Sequence, residues 1–144
     1  MKPTPAQPSE APAYGIHRIT GLSFDTALER ISEALKEEGF GVLTQIDVRQ
    51  TLKDKIGVDF PRFVILGACN PRFAHEALTA DHRIGLLLPC NVVVQEVPGG
   101  SAMISAIRPT VLFERLAVDP KIVGVAKDAE ERLGRAIEKA ALTQ

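Results

Sequence analysis

Apolar residues recur along this chain with two periods, and the changes from one to the other mark out its elements. Between Ala13 and Thr20, Tyr14 and Ile16 fall on alternate positions and Gly21 ends the run, which predicts a first strand. Phe24, Leu28, Ile31 and Leu35 then share one helical face, while Glu29, Arg30, Glu33, Lys36 and Glu37 lie on the other. Ser23 is placed to cap this helix and Gly39 to stop it. A short strand follows from Phe40 to Ile46, then a charged helix from Val48 to Ile56, capped by Asp47 and ended by Gly57.

The run Phe63 to Cys69 is apolar throughout and rich in β-branched residues, the pattern of a strand with both faces at least partly covered, and it predicts a central position in the sheet. Asn70 is a good helix cap and Pro71 suits the first helical position, where its missing amide hydrogen costs nothing. Phe73, Ala74, Ala77 and Leu78 give the helix that follows an apolar side. Cys90 to Val97 and Ser101 to Arg108 read as a hairpin around Pro98-Gly99-Gly100. With Gly99 and Gly100 as a two-residue loop, Val92 would face Ile107 and Val94 would face Ser105. A last helix from Pro120 carries Ile122, Ala126, Ala129, Leu133, Ala136, Ile137 and Ala140 on one stripe. Strand, helix, strand, helix, strand, helix, hairpin and helix make an α+β domain whose helices cover one sheet face.

The first twelve residues contain four prolines and no large aliphatic residue, so residues 1–12 read as a mobile tail and 13–144 as a single domain. The 144 residues leave little room for two cores. Seventeen basic and eighteen acidic residues balance to a net charge of −1, which gives no support for nucleic acid or an anionic membrane surface as partner. Aromatic residues for base stacking are few: six Phe, one Tyr and no Trp. The longest apolar stretch, Ile84 to Val94, is interrupted by Gly85, Pro89, Cys90 and Asn91 and is too short to span a membrane. Two cysteines make no disulfide framework, and nothing near Met1 reads as a signal peptide, so a cytoplasmic location is expected.

Candidate chemistry centres on Cys69. It closes a strand and precedes the Asn70-Pro71 helix start, whose unpaired amides and dipole would stabilise a thiolate. The competing reading is a small buried hydrophobe with no reactivity. Cys90, after Pro89, reads either as a packed residue beside Val92 and Val94 or as a second thiol meeting Cys69 in a soft site for Cu(I) or Zn, or a reversible dithiol. His75 would serve as base or third ligand, although its helical position turns it nearly away from Cys69; a solvated imidazole is the plainer reading, as for His17 and His82. Arg62 and Arg72 flank the strand and would receive an anionic ligand near Cys69, or pair on the surface. No serine-hydrolase elbow and no His-Glu-x-x-His helix occurs, and Gly99-Gly100 leads into a strand rather than the helix a phosphate loop requires.

Several of these segments together carry a resemblance. Ile46-Asp47-Val48 with Thr51-Leu52-Lys53, Leu66-Gly67-Ala68-Cys69-Asn70-Pro71, Ala77-Leu78, Ile84 to Cys90 and the strand Val92 to Val97 resemble the family catalogued as domain of unknown function 302. The resemblance implies an α+β fold similar to one half of the TATA-binding protein, helices on one side of a mostly antiparallel sheet, and a homodimer. It brings no established activity or cofactor, and a shared architecture with a DNA-binding protein says nothing about DNA. The expectation is a homodimeric module for a small ligand or a protein, with no catalysis identified. The alternative is a thiol-dependent metal or redox protein built on Cys69 and Cys90, with His75, Asn70 and Arg72 nearby.

Overall fold

The elements begin where capping side chains occupy amides that a helix leaves unpaired. In a computed structural model, which describes residues 13–114, 116 and 118–142, Ser23 accepts from the Thr26 amide to open α1 (Phe24–Glu37). Asp47 accepts from Gln50 to open α2 (Val48–Ile56), and Asn70 accepts from Arg72 and Phe73 to open α3 (Pro71–Ala80). The proline-rich tail expected over residues 1–12 lies outside the described residues.

Five strands, β1 (Gly15–Ile19), β2 (Gly41–Asp47), β3 (Phe63–Cys69), β4 (Cys90–Glu96) and β5 (Ala102–Ile107), form one antiparallel sheet in the order β1-β5-β4-β3-β2. The hairpin therefore supplies the middle strand, β4. β3, expected at the centre, lies one place out, between β4 and β2.

Val64, Leu66 and Ala68 of β3, Val92 and Val94 of β4, and Ala102, Ile104 and Ala106 of β5 face one side and are buried against Phe24, Ala27, Ile31 and Leu35 of α1. The long α5 (Pro120–Ala141) completes that layer with Ala129, Leu133, Ala136, Ile137 and Ala140. This is the α+β arrangement the order of elements predicts. Among the described residues no helix is long and apolar enough to cross a membrane.

The hairpin register differs by one residue from expectation. Val92 pairs with Ala106 and Val94 with Ile104. The Val97 amide donates to Ser101 O at 3.0 Å and Gly100 donates back to Val97 O at 3.1 Å, so the loop has three residues, with Gly99 and Gly100 at φ of 98° and 87°. Because side chains alternate, this single step moves Ile107 off the core face and places Ala106 there.

Two elements have no counterpart in the sequence reading: a 3-10 helix from His82 to Leu87 and a short α4 (Pro109–Phe113). With α3 and the first turns of α5 they enclose a second apolar cluster of Ala77, Ile84, Phe113, Ile122 and Ala126.

Candidate functional site

The second cluster is incompletely filled. Between β3, α3, the 3-10 helix, the start of β4, α4 and α5 lies a cavity of about 380 Å³. Its walls include Phe40, Phe73 and Phe113, and the space exists because Ala68, Ala74, Ala77, Ala126 and Ala129 face it with side chains too short to meet across it. Leu86, 89% exposed, and Leu112 stand at its rim. Among the described residues no Asp, Glu, His, Lys or Arg lines it; the polar lining groups are Cys69, Asn70, Cys90 and Asn91.

Local geometry brings the two thiols to this space. Ala68 pairs with Cys90 across β3 and β4, so Cys69, the next residue, ends its strand beside Cys90. The cis Leu88-Pro89 peptide leads into Cys90. Pro89 lies against Gly67, where an added Cβ would come within 2.9 Å of the proline Cγ and 2.1 Å of Thr44 Oγ1.

The electrostatics run against an activated thiolate. Burial pushes the Cys69 thiol above its ordinary value. For Cys90, burial first and then the neighbouring Cys69 raise the pKa to about 11. The helix start expected to stabilise a Cys69 thiolate is already occupied, since Asn70 Oδ1 takes the Arg72 and Phe73 amides at 3.2 and 3.3 Å. Raised pKa values of this kind leave almost no thiolate at neutral pH. At pH 7.5, iodoacetamide should label Cys90 roughly a hundredfold more slowly in the folded chain than in urea, as a two-unit shift requires; equal rates in mass-spectrometric time courses would contradict the burial.

The remaining expected site residues do not join the thiols. His75 is exposed on α3, Arg72 is exposed at its start, and neither lines the cavity. Arg62 is at the opposite end of β3 from Cys69, bonded to Asp25 at 2.7 Å with its guanidinium 4.2 Å from the centre of the Phe24 ring. His82 is exposed on the 3-10 helix, and His17 meets Ser105 at 2.8 Å across β1 and β5. Among the described residues no three His, Cys, Asp or Glu side chains gather as a metal-holding group. Asn70 does border the cavity, as a helix cap.

What sequence reading missed were the alanines. The spacings Ala74, Ala77 and Ala126, Ala129 look like an ordinary helix stripe, and the signal would have been that two such stripes meet with nothing large between them.

The comparisons with known proteins bear on most of the chain. The family described as domain of unknown function DUF302 matches residues 16–140. A crystal structure of an uncharacterized conserved protein DUF302 from Bacillus stearothermophilus is similar at 34% identity and a TM-score of 0.81, covering 90% of this chain and 99% of that one. A search of curated proteins finds no match. Sequence match and superposition extend over the same sheet and helices, and the chain belongs to the DUF302 family.

Proposed function

We propose that this domain is a binding module that takes a small molecule into the alanine-walled cavity, and that it acts as a cytoplasmic homodimer. One observation carries the reading: an apolar space of about 380 Å³ that the fold builds where its strands and helices meet and leaves open. Small-molecule sites have this size and lining, with a few polar groups at fixed positions. The free thiols Cys69 and Cys90 suit a reducing compartment.

The test is a titration with N-phenyl-1-naphthylamine, a neutral fluorophore that brightens in apolar surroundings. Wild type should bind it, and Ala126→Leu, which extends a side chain into the cavity, should weaken binding at least tenfold while the melting temperature of the free protein holds or rises. Equal binding by the two proteins would place the probe elsewhere and defeat the reading.

A thiol-dependent metal or redox role has one observation in its favour, that Cys69 and Cys90 line the same space. It requires Cys69→Ser and Cys90→Ser to abolish a bound metal or adduct in native mass spectrometry. The protonated state that burial imposes on both thiols ranks it second.

A further inference from the structure

We infer that the ligand of this cavity is electrically neutral and apolar, with roughly fifteen heavy atoms, and that anions of the same size are rejected; the inference rests on the reading of the cavity as a ligand site. The size follows from comparison with apolar cavities of about 150 Å³, which accept benzene; this one holds about 380 Å³.

The neutrality follows from where the charged and donor groups have gone. Three helices begin beside the cavity, and a helix start is the usual backbone site for an anion. At α3 the Arg72 and Phe73 amides are taken by Asn70 Oδ1. At α4 the Thr110 amide donates to Glu130 Oε1 at 3.1 Å, and Pro109 has no amide hydrogen. At α5 the Lys121 amide donates to Asp119 Oδ1 at 2.8 Å, and the Ile122 amide donates to Asp119 O. Each start is closed by the protein's own acceptor, two of them carboxylates, so an entering anion would find those amides taken.

Three of the described arginines in this region are committed as well. Arg108 pairs with Glu130, Arg132 donates to Glu38 O with its guanidinium 5.5 Å from the centre of the Phe73 ring, and Arg83 pairs with Asp81. The thiols, held protonated, add no charge to the lining. A carboxylate drawn inside would lose its water and meet no cationic side chain among the described lining residues, only the neutral Asn70 and Asn91 amides, which costs more than leaving it outside.

The experiment displaces N-phenyl-1-naphthylamine from the full-length protein at pH 7.5 with 1-decanol or with decanoate, which share a chain length and differ in charge. Decanol should compete, and decanoate should do so at least tenfold more weakly. Leu86→Lys places a cation at the rim on a side chain that is 89% exposed, so folding is little affected; it should shift the ratio of decanoate to decanol affinity severalfold toward decanoate. Decanoate competing as well as decanol in wild type would overturn the neutral-ligand inference and leave the cavity reading standing. If neither the fluorophore nor decanol binds, both fall together.

Discussion

Size-exclusion chromatography with light scattering should return twice the 15.6 kDa chain mass for wild type at micromolar concentration, and a single chain mass for the double variant Leu43→Asp, Ile46→Asp. The expectation comes from β2. It lies at the sheet edge with no strand beyond it among the described residues, and all seven of its residues are exposed. Val42, Leu43 and Ile46 expose 37, 68 and 47% of their surface, and Ile56 and Val58, at and just beyond the end of α2, are exposed as well. Edge strands of monomers are commonly guarded by lysine, proline or short length. β2, with the sequence GVLTQID, has neither residue, and its one irregularity, between Val42 and Thr44, leaves Leu43 outward. The other edge, β1, has only five residues and carries Arg18, which pairs with Glu138 of α5. A second copy related by a two-fold axis would pair β2 with β2 and set the exposed apolar side chains of the two strands beside one another, the self-complementary arrangement of most homodimers. Substitutions at exposed positions change monomer stability by about 0.5 kcal/mol or less, so loss of the dimer would be read separately from unfolding. A wild type that elutes and scatters as one chain sinks the proposal.

Replacing Gly67 by alanine should lower stability by about 2 kcal/mol, and by valine more, within the range for forcing extra atoms into packed space. Gly67 is buried in β3 opposite Asn91, with Thr44 of β2 paired on its other side. An added Cβ would come within 2.1 Å of Thr44 Oγ1 and 2.9 Å of Pro89 Cγ. The threonine hydroxyl sits at the end of a side chain on an exposed edge strand and can rotate away. The Pro89 ring is held between Leu88 and the first residue of β4 and has no such freedom. Urea denaturation should show a lower midpoint for Gly67→Ala with an unchanged slope. In a Thr44→Ala background most of the cost should remain, because the hydroxyl already yields and the Pro89 ring does not. Because Pro89 and Cys90 both line the cavity, the same substitution should weaken fluorophore binding. An unshifted midpoint would mean that the proline yields, and the close approach would carry no structural weight.

Much of the fold was legible in local patterns. The faces of α1 and α5 follow from apolar spacing because a helix closes its hydrogen bonds within a few residues, and Ser23, Asp47 and Asn70 marked their helix starts for the same reason. The hairpin strands followed from alternation and paired glycines, but their register did not. Two-residue and three-residue loops are both compatible with Pro98-Gly99-Gly100, and the choice depends on whether Ala106 or Ile107 fits beneath α1 and α5. The 3-10 helix and α4 escaped because segments of six and five residues are too short for a period to emerge.

The site was legible only in pieces. Cys69, Cys90 and Asn70 were singled out and do border one cavity, while His75 and Arg72 were placed near Cys69 by proximity along the chain and point elsewhere. The amino-acid order settles where each element starts, which face it buries and that a thiol ends β3, since these depend on contacts within a turn or two. Which strand is central, that Ala68 lies opposite Cys90, and that the alanines of α3 and α5 meet across empty space were settled by packing between distant segments. A cavity is a property of two surfaces at once, and no single stretch of chain carries the information for both.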